Sequence, residues 1–132
     1  MSGENVDRLG EATEALNRGD ARAYIGLTDP EIRFEPALAA LQGTYEGHDG
    51  VREWFADVAE HFDEGVEVRY SEIRDLGDRV LAIGTIRYTG KGSGIRTETP
   101  VALIVRFRNG LITHLKDYGD RGEALTAAGL SE

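Results

Sequence analysis

The chain has 132 residues, 40% of them hydrophobic, which suits one domain over residues 1–132 and is too little for two independent cores. Its net charge of −9 comes from acidic residues scattered along the chain, which disfavours nucleic acid and anionic membranes as partners, because both are bound through clustered Lys and Arg. Since there is no cysteine, disulfides, thiolate catalysis and cysteine-ligated zinc are excluded.

The N-terminal segment is polar and acidic, without the apolar stretch of a secretory signal. No part of the sequence approaches the roughly 20 apolar residues that span a bilayer. We therefore expect a cytoplasmic protein.

Two successive helices are predicted at the start of the chain. The residues that recur there at helical spacing are Val6, Leu9, Thr13 and Leu16. Gly19 is typical of a helix C-terminus, and Asp20 directly after it is typical of an N-cap. The second helix is short and is expected to stop at Asp29-Pro30.

A brief strand and a third helix follow. Ile32 and Phe34 alternate with charged residues, and Pro36 is expected to end that strand. After an Ala-rich connection, Asp49 is expected to cap a helix. The apolar face of this helix consists of Val51, Trp54, Phe55, Val58 and Phe62.

From Gly65 onward the apolar residues recur every second position, which predicts strands over 66–70, 80–88, 95–107 and 111–118. Tight turns at Gly77-Asp78, in the Gly-rich stretch 90–94 and at Asn109-Gly110 separate them. Long consecutive strands joined in this way predict an antiparallel sheet. Such a sheet curls around its helices and leaves a cavity at its open end.

A short final helix is predicted at the C-terminal end. Asp120 and Glu123 resemble a capping box, and Gly129 is expected to close the helix. Leu125 and Leu130 are expected to pack over the mouth of the cavity or onto a partner subunit, because either position buries apolar surface.

Three motifs follow one another along the chain: Tyr-Glu-Gly-His-Asp-Gly-Val-Arg at 45–52, Asp-Leu-Gly-Asp-Arg-Val at 75–80, and Asn-Gly-Leu-Ile at 109–112 leading into Asp117-Tyr118. In this order they resemble the SnoaL-like domain family of the nuclear transport factor 2-like superfamily, which also contains ketosteroid isomerase, polyketide cyclases and limonene epoxide hydrolase. The resemblance implies an α+β cone-shaped barrel, in which a curved, mostly antiparallel sheet wraps around three N-terminal helices and a short C-terminal helix follows. It also implies a homodimer joined through the outer face of the sheet.

The resemblance makes Asp117 the first candidate for catalysis, because it matches an Asp on the last strand that acts as general base in polyketide cyclases and limonene epoxide hydrolase. A carboxylate that faces an apolar cavity has a raised pKa, which suits this role. If a bulge shifts the register, His114 faces the pocket instead. The alternatives are a solvated or salt-bridged Asp and a surface or core His.

The epoxide hydrolase also uses an Arg and an Asp on an earlier strand, and their positions hold Gly84 and Ile86 here. Its Tyr and Asn on the first strand correspond to Ile32 and Phe34. Epoxide hydrolysis by that mechanism is therefore not expected.

A ligand pocket is predicted from aromatic and aliphatic residues on several elements. These residues are Tyr24, Phe34, Trp54, Phe55, Tyr70, Ile86, Tyr88 and Leu115. The alternative is that they form plain core. His48 and His61 do not stand at metal-ligand spacing, so we expect neither a metal nor a cofactor.

The leading hypothesis is cofactor-free proton transfer, of an isomerase, cyclase or hydrolase kind, on a hydrophobic molecule that carries a carbonyl group. Asp117 would be the base, and Tyr24, Trp54 or His114 would donate to the developing enolate. One alternative is a non-catalytic pocket that binds a small hydrophobic molecule. Another is a dimerising accessory domain whose interior is filled by its own side chains.

Overall fold

The computed structural model describes residues 2–36 and 44–130, which form four helices and six strands. The helices are α1 Ser2–Asn17, α2 Ala21–Ile25, α3 Gly47–His61 and α4 Arg121–Ala127. The strands are β1 Thr28–Glu35, β2 Tyr45–Glu46, β3 Phe62–Asp75, β4 Arg79–Gly90, β5 Arg96–Arg108 and β6 Leu111–Asp117. None of these helices is long and apolar enough to cross a membrane. The predicted Ala-rich connection falls mostly on 37–43, outside the described residues.

The strands form one mixed sheet in the order β2-β1-β6-β5-β4-β3, which is not closed. All neighbouring pairs are antiparallel except β1 and β6, which run parallel. The predicted α+β class is confirmed. The two-residue strand β2 and the parallel pair were not predicted, because a strand of two residues has no periodicity and strand pairing depends on contacts distant in sequence.

Several local signals act as the sequence predicts. Gly19 has a φ of 72°, and the Asp20 side chain accepts the Ala23 N–H at 3.0 Å. Asp120 accepts the Glu123 N–H at 2.9 Å at the start of α4. Asn109 and Gly110 both have positive φ, as the tight hairpin between β5 and β6 requires.

Several predicted boundaries are wrong. Phe62, which the sequence predicts on the apolar face of the third helix, is the first residue of β3, and this strand spans Phe62–Asp75 instead of 66–70. The second helix ends at Ile25 with Gly26 as its C-cap, so that Asp29 and Pro30 lie inside β1. The third helix begins at Gly47, two residues before the expected cap, and no side chain caps its first turn. Asp49 instead forms an exposed ion pair with Arg52 at 2.7 Å.

Two apolar clusters cover the two faces of the sheet. The larger one packs α1, α2 and α3 against the inner face, and its most buried large side chains include Trp54, Phe34 and Ile32. The smaller one packs α4 onto the outer face over Leu81, Ala102 and Ile104. Leu125 belongs to this outer cluster, so the expectation that it covers the cavity mouth or a partner subunit is wrong.

Candidate functional site

An apolar cavity lies inside the larger cluster, between α1, α3 and the inner face of the sheet. Its volume is about 30 Å³, which is room for little more than a single water-sized group. Six of the eight predicted pocket residues line it, namely Tyr24, Phe34, Trp54, Tyr70, Ile86 and Leu115. Phe55 and Tyr88 do not line it.

Helix α1 supplies a further wall of the cavity, which the sequence did not predict. Leu9, Ala12, Thr13 and Leu16 all line the cavity. Their spacing of three and four residues predicted a buried helix face, which is also the pattern of ordinary core. The sequence therefore contained the signal for burial and none for a cavity.

Edge-to-face aromatic contacts hold the far wall of the cavity together. The Phe34 ring meets Trp54 at a centroid distance of 5.5 Å and Tyr24 at 5.8 Å. Phe55, which does not line the cavity, packs against the Tyr24 and Trp54 rings at a centroid distance of 5.4 Å from each. Such pairs each add about 0.5–1.5 kcal/mol beyond the area they bury, so the wall is well ordered.

The Trp54 indole contains a buried hydrogen-bond donor that has no partner among the described residues. Trp54 is 2% exposed, and its Nε1–H makes no hydrogen bond there. A buried donor without an acceptor costs about 1–3 kcal/mol, and such groups are rare in folded proteins. Trp54 also lines the cavity.

The Tyr24 and Tyr70 side chains are protonated at neutral pH. Burial raises the pKa of Tyr70 to about 12, with a further increase from the negative charge of Asp117, and a hydrogen bond with Thr13 opposes the rise. Burial, with a smaller effect of Tyr70, raises the pKa of Tyr24 as well. Both residues therefore bring neutral hydroxyl groups to the cavity lining.

Asp117 lies on the inner face of β6, beside the cavity and not in its lining. Two positions earlier on the same face is Leu115, and directly opposite on β5 is Leu103, both of which line the cavity. Its Oδ1 accepts the backbone N–H groups of Ala102 and Gly119, each at 2.9 Å. Burial raises the pKa of this carboxyl group, and the two hydrogen bonds oppose the rise.

His114 lies on the opposite face of β6, away from the cavity. Its Nε2 is 2.7 Å from Glu35 Oε2, and this hydrogen bond is the largest cause of the lowered pKa of Glu35. The pairing with β5 is irregular between Arg106 and Phe107, so a bulge is present. On β6 this bulge lies before His114. Side chains alternate between the two faces of the strand after the bulge, so Leu115 faces the cavity.

Gly84 allows β3 to approach β4 where the pairing is irregular. A Cβ at this position would overlap the Arg69 carbonyl oxygen and lie 2.7 Å from the Tyr70 Cα. The register of β3 shifts between Tyr70 and Glu72, next to this contact. Gly84 therefore permits the close approach of the β3 backbone at Tyr70. Ile86, two residues further along β4, adds apolar surface to the cavity.

A larger cleft lies next to the cavity, with a volume of about 450 Å³. It shares Leu16 and Trp54 with the cavity lining. Its other apolar residues include Phe55, Val58 and Phe62, so Phe55 lies here instead of in the cavity. The sequence predicted the apolar face of α3 and did not reveal that part of it borders an open cleft.

No metal-binding arrangement occurs within residues 2–36 and 44–130, because no three His, Asp or Glu side chains there are placed to hold an ion. His48 instead lies 3.1 Å from the Thr28 carbonyl oxygen, and His61 lies 2.8 Å from the Asp57 carbonyl oxygen.

Comparison with known proteins places the chain among similar folds. The family model of the SnoaL-like domain matches residues 10–115. No curated protein matches the sequence significantly.

Solved structures with similar folds cover nearly the whole chain. A protein of unknown function from Burkholderia pseudomallei, described as NTF2-like, has a TM-score of 0.78 and 26% identity, over 93% of this chain and 95% of its own. TerC, crystallised with polyporic acid, has a TM-score of 0.77 and 22% identity, over 96% and 95%. A candidate polyketide cyclase from Xanthomonas campestris has a TM-score of 0.75 and 18% identity, over 95% and 96%.

Proposed function

We propose that this chain, which belongs to the SnoaL-like domain family, binds a small hydrophobic molecule that carries a carbonyl group. The observation behind the proposal is the buried Trp54 N–H, which has no partner within residues 2–36 and 44–130, on a residue that lines a largely apolar cavity. A carbonyl oxygen would accept this hydrogen bond, and apolar surface would suit the rest of the lining.

The energetics favour a ligand with one acceptor over a plain hydrocarbon. A hydrogen bond formed in place of an unpaired buried donor is worth about 0.5–1.5 kcal/mol net, which corresponds to roughly 2- to 12-fold in affinity. The remaining contacts would contribute through burial of apolar area, at about 25 cal/mol per Å².

Binding can be measured by calorimetry with acetophenone and with ethylbenzene, which has nearly the same shape and no acceptor. The ketone should bind more tightly by the factor given above, and Trp54→Phe should remove the preference. Tyr45→Phe is a matched control, because it also deletes a buried polar group, the hydroxyl that donates to Asp57, outside the cavity. Equal affinities of the wild type for both compounds would refute the proposed hydrogen bond.

Proton transfer is a second candidate function, favoured by the raised pKa of Asp117 on the inner face of the sheet. In this scheme the Asp117 carboxylate would accept a proton from the carbon next to the carbonyl group. The C–H electron pair would form the C=C bond of an enolate, whose oxygen would accept the Trp54 N–H bond. Return of a proton to the same carbon would complete an exchange or an isomerisation.

Exchange of the acetophenone methyl protons in D₂O, followed by proton NMR, tests this scheme. The wild type should accelerate the exchange, and Asp117→Asn should abolish the acceleration while calorimetry shows that the ketone still binds. Binding without exchange in the wild type would support the non-catalytic pocket. No binding of either compound would support an accessory domain with a filled interior, which the small cavity volume also favours.

A homodimer joined through the outer face of the sheet is part of the proposal. Helix α4 covers the outer face over β4 and β5, whereas Glu35 and His114 pair on the outer face of β1 and β6. Light scattering coupled to size exclusion should give twice the 14.4 kDa mass of the chain. A mass of 14.4 kDa across the micromolar range would refute the dimer.

A further inference from the structure

Basic side chains gather on the outer face of the sheet, at the end near the hairpin between β5 and β6. We define this basic patch by Arg79, Arg106, His114 and Lys116, which stand on the neighbouring strands β4, β5 and β6. We infer that the basic patch binds an acidic segment of a partner protein, with Arg106 and Lys116 as the main contacts. This inference goes beyond the proposed function and does not depend on ketone binding.

Strand pairing places the four residues together on one face. Ile104 belongs to the apolar cluster beneath α4, so it lies on the outer face. Lys116 is its direct partner on β6, and Arg106 stands two positions further along β5, so both share that face. Arg79 and His114 are the direct partners of Arg106 on its two neighbouring strands. The outer face therefore presents these side chains side by side.

The pairing of Arg79 with Arg106 opposes two positive charges directly. Like charges in this relationship destabilise a sheet. The Arg79 guanidinium is satisfied in part, because it donates to the Ala128 carbonyl oxygen at the end of α4 at 3.0 Å. In a chain with a net charge of −9, two opposed arginines are unexpected, and a bound anion would relieve their repulsion.

Arg106 and Lys116 are the cations of the patch that remain open to an anion. Neither forms an ion pair with another residue in the ranges 2–36 and 44–130, and Arg106 is exposed. Glu35, the direct partner of Lys116 on β1, is engaged with His114 at 2.7 Å and with Arg33 at 3.7 Å. The charge of Lys116 helps to lower the pKa of Glu35, but from beyond ion-pair distance.

The spacing of Arg106 and Lys116 indicates the kind of anion. They are diagonal neighbours across β5 and β6, and such residues lie about 7–8 Å apart. Carboxylates two residues apart in an extended polypeptide are separated by about 6.5–7 Å. A segment with acidic residues at alternate positions could therefore contact both cations at once, through charge-assisted hydrogen bonds.

A protein segment fits this surface better than a nucleic acid does. Nucleic acids bind through many Lys and Arg contacts to phosphates, whereas acidic residues border the patch on the β1 side, at Glu35 and at Glu46, the direct partner of Arg33. The Lys116 ammonium also lies 5.0 Å from the centroid of the half-buried Tyr118 ring. Tyrosine and arginine are both enriched in protein–protein interfaces.

The test measures the fluorescence anisotropy of a labelled peptide of alternating Glu and Ser at low ionic strength. The wild type should bind it, and Arg106→Gln and Lys116→Gln should each weaken binding about fivefold, because each removes one charge-assisted contact. Arg69→Gln is the matched control. It deletes the same charge from the same face of the sheet, on β3, where Arg69 is exposed and paired with Glu67 at 3.7 Å.

The outcomes decide both the surface and its partner. No binding by the wild type, or an equal loss in Arg69→Gln and Arg106→Gln, would refute the docking surface. Tighter binding of a short single-stranded DNA with the same net charge would overturn the choice of a protein segment.

Light scattering tests whether a second copy covers the patch instead. Arg106→Gln should have the same mass as the wild type, and a changed mass would assign the patch to the homodimer interface and overturn the inference. Ketone binding tests the proposed function separately, because the cavity lies on the inner face of the sheet. Loss of one proposal therefore leaves the other standing.

Discussion

The Asn17 carboxamide makes two hydrogen bonds with the backbone of Val68. Its Nδ2 donates to the Val68 carbonyl oxygen at 3.0 Å, and its Oδ1 accepts the Val68 N–H at 2.8 Å. Val68 lies on the edge strand β3, whose other side pairs with β4. The side chain therefore pairs with the free edge as a neighbouring strand would, and it holds the end of α1 next to Leu16 and the cavity.

Asn17→Ala should destabilise the fold by about 1–3 kcal/mol, because both backbone groups of the buried Val68 lose their partner. Asn5→Ala is the control, since Asn5 makes one exposed hydrogen bond from the same helix, to the Gly77 carbonyl oxygen. Urea unfolding of both variants measures the difference. Equal losses of stability would contradict a special role for Asn17.

Gly84→Ala should be strongly destabilising, by about 3 kcal/mol or more, because the new methyl group would overlap the backbone of β3 at Arg69 and Tyr70. Gly10→Ala is the matched control. Gly10 is exposed within α1, and a Cβ there meets nothing within 4 Å, so this change should stabilise the chain by about 0.5–1 kcal/mol. Thermal unfolding should shift in opposite directions for the two variants, and a neutral Gly84→Ala would refute the close approach.

Asp117→Asn should stabilise the protein at neutral pH, because burial makes the charged form of Asp117 unfavourable and an amide oxygen can still accept the same two hydrogen bonds. Below its ordinary pKa, Asp117 is protonated in both the folded and unfolded states, so the variant and the wild type should be equally stable there. As the pH rises toward the raised pKa, only the unfolded state ionises easily, and the wild type loses stability relative to the variant.

Melting temperatures of wild type and Asp117→Asn from pH 3 to pH 8 measure this effect. Asp117→Ala is the control, since it leaves the Ala102 and Gly119 N–H groups without their acceptor and should destabilise at neutral pH. A lower melting temperature of Asp117→Asn at pH 7 would show that the carboxylate is stabilising and would contradict the raised pKa.

Leu125→Ala should cost about 2–5 kcal/mol, because Leu125 is 1% exposed in the cluster beneath α4. Ketone affinity should stay unchanged, because this cluster lies on the face of the sheet opposite the cavity. Leu130→Ala, at a partly buried position of the same cluster, should cost less. A large change in ketone affinity together with the loss of stability would indicate coupling between the two faces.

Local chemistry made parts of the fold predictable from sequence. Gly19, Asp20 and the Asn109-Gly110 turn act through their own backbone and nearest neighbours, so their effects are visible in a short window of sequence. The position of α4 is different, because the apolar character of Leu125 does not tell which apolar surface it will contact. The parallel pairing of β1 with β6 likewise depends on residues about 80 positions apart.

The candidate site was predictable in its residue types and not in its geometry. The helical period placed Trp54 on an apolar face. That its N–H has no partner in the described part of the chain depends on the folded positions of all its neighbours. Alternation along β6 placed Asp117 and His114 on opposite faces. Which of them faces the helices depends on the bulge opposite Arg106 and Phe107, and a bulge has little sequence signal.

The proposed function requires the Trp54 N–H to donate a hydrogen bond to a bound carbonyl group. Trp54 is the only tryptophan of the chain, so an ¹H–¹⁵N correlation spectrum contains a single indole N–H signal. Saturating acetophenone should move this proton signal downfield, and ethylbenzene, which lacks the acceptor, should not. An indole signal that stays in place while calorimetry shows the ketone bound, or that moves equally with the hydrocarbon, would contradict the claim.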